Sequence, residues 1–65
     1  MTFAECIPYL LKQGRIRKPH FNENEYVALN EDNYNILTYF CNNGGKLIYE
    51  ITDEDLSDVI WELVN

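Results

Sequence analysis

A chain of 65 residues can build one hydrophobic core at most, because a domain this short buries only about 60% of its unfolded surface and commonly leans on a disulfide, a metal or a partner subunit. Two cysteines outside any close-spaced ligand pattern and a single histidine supply neither a metal site nor a disulfide framework, and the longest apolar runs fall far short of the about 20 residues that span a bilayer. A formal net charge of −6 opposes general affinity for long nucleic acid, so the expectation is one soluble domain over residues 1–65, without cofactor, in a reducing cytoplasm and supported by self-association as a dimer or tetramer.

The chain opens on a helix start. Thr2 with Glu5 three residues later forms a capping box, and Phe3, Cys6, Ile7, Leu10 and Leu11 then keep the spacing of one apolar stripe until Gly14 supplies the stop. Pro8 lies inside that pattern and should bend the helix. Arg15 to Lys18 reads as a short strand ended by Pro19, with Ile16 turned inward and Arg15 and Arg17 together on the other face.

His20 to Asn24 is a polar loop carrying one large aromatic, Phe21. Glu25 to Leu29 resumes as a strand before a turn at Asn30, Glu31 and Asp32. Tyr34 to Cys41 and Lys46 to Ile51 are rich in β-branched and aromatic residues, and Asn42-Asn43-Gly44-Gly45 between them suits a hairpin turn. The competing reading is a helix from Asn33 to Asn42.

With the hairpin, Ile36 and Phe40 share one face of the first strand while Leu37, Tyr39 and Cys41 share the other. Both faces then want cover, and a second copy could provide it. Thr52 with Asp55 repeats the capping pattern ahead of a short turn through Ser57, and Val59 to Val64 reads as a last strand containing Trp61. The fold class is therefore α+β: an N-terminal helix on a small, mainly antiparallel sheet with a central hairpin and a short C-terminal helical turn before the last strand.

Charge is segregated along the chain. Lys12, Arg15, Arg17 and Lys18, four of the five basic side chains, fall within seven positions, whereas Asp53, Glu54, Asp55, Asp58 and Glu62 crowd the C-terminal stretch. Such a distribution either makes a local cationic patch able to hold a small anion, or pairs internally. No serine or cysteine stands with a histidine base at a useful spacing, and there is no glycine-rich phosphate loop, so the sequence reads as non-enzymatic.

Over its whole length the chain resembles the Thoeris anti-defence 2 family, small phage proteins that act as sponges for nucleotide immune signals. Met1-Thr2-Phe3-Ala4-Glu5 through Leu10 and Gly14-Arg15-Ile16-Arg17-Lys18 look like the family's opening helix and basic strand, and Asp55-Leu56 followed by Trp61-Glu62 keeps the family's spacing. His20-Phe21-Asn22 stands where members usually carry Gly-Trp-Asn, and Tyr49-Glu50-Ile51 where they carry Trp-x-Pro.

The resemblance implies sequestration, without cleavage, of a small cyclic nucleotide such as a cyclic ADP-ribose isomer or a cyclic oligonucleotide, in the cytoplasm of the host cell. Arg15, Arg17 and Lys18 would hold phosphates, Phe21 would stack on a base unless it is core, Asn22 would read a base edge, and His20 and Tyr26 complete the candidate set. The alternative is an acidic inhibitor presenting Asp53 to Glu62 to a basic surface of a host defence protein.

Overall fold

The structure, a computed structural model, describes residues 1–57 and 60–64. Helix α1 (Phe3–Leu11) is followed by strands β1 (Arg15–Arg17), β2 (Tyr26–Asn30), β3 (Ile36–Phe40) and β4 (Lys46–Ile48), a one-turn helix α2 (Asp53–Ser57) and β5 (Glu62–Val64). The five strands form one antiparallel sheet in the order β4-β3-β2-β1-β5. The α+β reading, with its central hairpin and late helical turn, describes this architecture.

Both capping boxes form. The Glu5 N–H donates to the Thr2 hydroxyl at 3.2 Å while the Thr2 N–H donates to Glu5 Oε1 at 2.8 Å, and Thr52 and Asp55 exchange the same pair of bonds at 3.1 and 3.3 Å. Helix α1 runs on through Pro8; the N–H that proline lacks would have met the carbonyl of Ala4, an exposed residue.

The stop differs from the sequence reading, for Gln13 rather than Gly14 takes the left-handed conformation, with φ 66°. Gly14 serves close approach instead. Its N–H donates to the Tyr9 carbonyl at 2.7 Å, and a Cβ at this position would lie 2.5 Å from that same oxygen. Gly14→Ala should therefore push the helix end off β1 and destabilise the protein by about 1–3 kcal/mol, which a urea midpoint would reveal; an unchanged midpoint would mean that the turn simply shifts.

Residues 36–40 are strand and not helix, paired with β2 from Asn30↔Ile36 to Tyr26↔Phe40. Tyr34, expected to begin that strand, lies in the connection. There a single 3-10 turn, Glu31–Asn33, precedes two consecutive left-handed residues, Tyr34 (φ 56°) and Asn35 (φ 59°), and the Asn35 N–H closes the tip on the Asn30 carbonyl at 2.9 Å. For tyrosine such a conformation costs on the order of 1 kcal/mol or more, while asparagine bears it with less strain. In the β3–β4 turn Gly44 supplies the positive φ, 87°. Trp61 precedes β5 instead of lying within it, and Val59, read as that strand's start, is outside the described residues.

One face of the sheet carries the core. Ile16 and Val27 pack with Phe3, Cys6 and Leu10 of α1 and with Trp61, and Phe21, Leu29, Leu37, Tyr39, Tyr49 and Ile51 flank them. Strand alternation and register put Arg15, Arg17, Tyr26, Ala28, Asn30, Ile36, Thr38, Phe40, Lys46, Ile48, Glu62 and Val64 on the other face. Both cysteines are free, with Cys6 buried in the core and Cys41 half-buried just after β3.

Candidate functional site

Three of the five basic residues, Arg15, Arg17 and Lys46, stand on the sheet face away from the helices. The aromatic pair on that face is Tyr26 and Phe40, directly opposite one another on β2 and β3 and stacked with ring centroids 4.9 Å apart and planes 15° from parallel. The Arg15 guanidinium carbon lies 5.0 Å from the Tyr26 centroid, and Lys46 Nζ lies 5.8 Å from that of Phe40. Arg15, Tyr26, Phe40 and Lys46 thus form one continuous row across four strands, cation to ring to ring to cation.

Behind the row the face is mainly apolar, with Asn30 at its far end. Thr38, whose hydroxyl is satisfied by donating to the Ile36 carbonyl at 2.8 Å, and Ala28 are buried between taller neighbours, while Ile48 is 64% exposed. A sheet face with aromatic rings between cations has the chemistry for a ligand that is aromatic and anionic at once.

The remaining predicted site residues divide between two environments. Arg17 turns to the β1–β2 connection, donating from Nη2 to the Phe21 carbonyl at 2.6 Å, and lies 3.8 Å from the Glu62 carboxylate. It thereby tethers the loop on which His20 and Asn22 stand exposed; the Asn22 N–H donates to the Glu25 carboxylate at 2.9 Å. Glu25, held below its ordinary pKa by that backbone bond first and by the Tyr39 hydroxyl second, in turn helps burial to push the Tyr39 phenol up to about 12.

Phe21 and Lys18 belong to the core side. The Phe21 ring lies 5.2 Å from that of Tyr39 and meets Trp61 edge-on at 6.4 Å, so the core reading of this residue is the one the structure adopts. Lys18, on the same side of β1 as Ile16, forms an ion pair with Asp55, a residue only 2% exposed, and its ammonium lies over the rings of Trp61 and Tyr49 at 5.4 and 5.7 Å.

Asp55 also accepts from the Tyr49 hydroxyl at 3.0 Å, and its backbone carbonyl accepts from the Trp61 indole at 3.3 Å. Burial alone would raise the Asp55 carboxyl, but the bonds from Lys18, Thr52 and Tyr49 outweigh it and hold it below the ordinary range; burial likewise works to lower Lys18, and the bonds to Asp55 and Tyr49 leave it raised. This cluster fastens β1 to α2 and removes Asp55 from the acidic surface.

Phe40 and Lys46 were not among the residues the sequence singled out. The signal was present in strand parity: the hairpin reading already placed Phe40 on the face opposite Leu37, and Arg15 on the face opposite Ile16. Only the sheet order, which sets β1 beside β2 and β2 beside β3, shows that the two faces are the same one.

Among the described residues no group of three or more His, Cys, Asp or Glu side chains could hold a metal ion, and no helix is long and apolar enough to cross a membrane. A shallow groove of about 440 Å³ lies along the outer side of α1, lined by Met1, Glu5, Pro8, Tyr9 and Lys12. No protein-family model, curated protein or solved structure matches this chain.

Proposed function

We propose that the chain is a non-enzymatic binding protein that sequesters a small cyclic nucleotide, a cyclic ADP-ribose isomer or a cyclic oligonucleotide, in the host cytoplasm, as its resemblance to the Thoeris anti-defence 2 family implies. The row Arg15–Tyr26–Phe40–Lys46 carries this reading. A base can stack at the rings in exchange for one of the cations, a contact worth about 1–3 kcal/mol per base, and the displaced cation then meets a phosphate. The acidic remainder of the surface repels long polyanions while the local patch attracts a short one.

The site accordingly moves outward from the Lys18 and Phe21 side of β1 to the open face. Arg15 and Tyr26 stay in it, Phe40 and Lys46 join it, and His20 and Asn22 stand on the loop that Arg17 tethers beside it.

Thermal melting in the presence of cyclic dinucleotides, cyclic trinucleotides and cyclic ADP-ribose isomers tests the assignment. A ligand at a hundredfold excess over its Kd adds about 2.7 kcal/mol, a rise of about 10 °C or more in so small a domain. One class should produce that rise, and Arg15→Ala or Tyr26→Ala should weaken its binding about tenfold, the Tyr26 variant also losing about 0.5–1.5 kcal/mol with its stack on Phe40, so that each shift is read against the variant's own free protein. If no class moves the transition, the sponge reading fails and the acidic surface around Asp53, Glu54 and Glu62 becomes the candidate contact for a basic protein.

A further inference from the structure

The tip of the β2–β3 hairpin carries chemistry opposite to that of the open face. Tyr34 is 94% exposed, against 68% for the next large hydrophobic side chain among the described residues, Leu11, and Glu31 and Asp32 beside it are exposed as well. The tip is nevertheless fixed: the Asp32 N–H donates to the Asn30 side chain at 3.2 Å, and Tyr34 is held left-handed, a conformation that glycine or asparagine adopts with less strain. An aromatic ring flanked by two carboxylates has the same pairing of features, aromatic and anionic, that the Arg15–Tyr26–Phe40–Lys46 row is built to accept.

We propose that two copies of this chain pair face to face about a two-fold axis perpendicular to the strands, each placing its Tyr34, Glu31 and Asp32 tip on the cation–aromatic row of the other as a built-in stand-in for the nucleotide. The inference rests on the reading of that row as a site for anionic aromatic ligands. Tip and row sit at opposite ends of the same two strands, Asn30↔Ile36 at one end and Tyr26↔Phe40 at the other. The ladder between those two ends spans four residues at about 3.3 Å each, roughly 13 Å, with the tip just beyond it, so reversing the strand direction of a second copy over the first brings each tip toward the other's row.

The carboxylates of each tip, Glu31 and Asp32, are opposite in charge to Arg15 and Lys46 in the row they would meet. Ile36, Ile48 and Val64 would be covered between the two sheets.

Sedimentation of the purified chain without nucleotide tests this, and requires no knowledge of the ligand. The parent should sediment as two copies at high micromolar concentration, with an affinity that falls at least tenfold as salt is raised. Two variants, one with Glu31→Lys and Asp32→Lys, the other with Arg15→Glu and Lys46→Glu, should each sediment as one copy, and an equimolar mixture should restore the two-copy mass because every tip then meets an opposite face.

Tyr34→Gly should also sediment as one copy, and at dilutions where the parent too is a single chain it should melt no lower than the parent, its backbone strain being relieved. A parent of single-chain mass, charge variants that still pair alone, or a mixture that does not associate would each overturn the pairing. A nucleotide that raises the melting temperature should split the pair; if it leaves the mass at two copies, tip and ligand do not share the row. Absence of any nucleotide effect would instead refute the sponge reading, with the mass measurements still deciding the pairing.

Discussion

Replacing Lys18 by methionine is expected to cost about 3–5 kcal/mol, since it leaves the Asp55 carboxylate buried without its counter-charge. A domain of this length holds roughly 3–10 kcal/mol in total, so the variant should be largely or wholly unfolded at neutral pH by far-UV circular dichroism. Asp55→Asn introduced with Lys18→Met should recover part of the loss, because an amide can still accept from Tyr49 and from the Thr52 N–H at lower desolvation cost.

The pH dependence distinguishes this account from simple loss of packing. In the parent, Asp55 is lowered below its unfolded value, so its contribution is present above the ordinary carboxylate pKa of about 3.9 and is lost as pH falls through the lower folded value. Lys18 is raised, so its contribution is complete below about 10.4 and is lost as pH rises through the higher folded value. Without Lys18, burial dominates Asp55 and raises it, which reverses the acid limb: the variant should gain stability as pH falls from about 7 toward 4. A variant that melts like the parent at neutral pH, or that keeps the parent's acid limb, would show that the pair carries no such weight.

Much of this architecture is legible in the sequence because it is local. Thr2-x-x-Glu5 and Thr52-x-x-Asp55 define their helix starts within four residues, and the period-two alternation around Ile16 and from Ile36 to Cys41 assigns strand faces without reference to a partner. What the sequence hides is long-range. Nothing near Lys18 says that its charge will meet Asp55, 37 positions away, and so it reads as a phosphate ligand in a basic run. Phe21 follows a proline in a polar loop and reads as a stacking platform, although Arg17, by fixing its backbone carbonyl, holds the loop whose ring packs against Tyr39 and Trp61.

The candidate site shows the same division. Arg15 is legible through local parity and Tyr26 enters only with the set that the resemblance implies, while Phe40 and Lys46 join them only through the registers of β2 with β3 and β3 with β4. Tyr34 was misplaced because its β-propensity favours a strand, whereas hairpin closure between Asn30 and Ile36 demands left-handed residues at 34 and 35.

Trp61→Ala should be as damaging as the loss of Lys18, for a different reason. The indole is 1% exposed and meets Phe3 at 5.6 Å, Tyr49 at 6.0 Å and Phe21 at 6.4 Å, each edge-on, so truncation empties the middle of the core and costs about 3–5 kcal/mol. It also strips the Asp55 carbonyl of its donor and the Lys18 ammonium of one ring. Trp61→Phe separates these contributions, keeping a ring for Phe3 and Phe21 but no N–H for the carbonyl, and should cost about 1–3 kcal/mol. The backbone of Trp61 exchanges two bonds with Met1, at 2.7 and 3.0 Å, and these survive either change, so β5 should keep its place on β1 in the phenylalanine variant. Urea unfolding followed by far-UV circular dichroism would rank the two. An alanine variant no less stable than the phenylalanine variant would place the weight of the residue in its hydrogen bond and not in its ring.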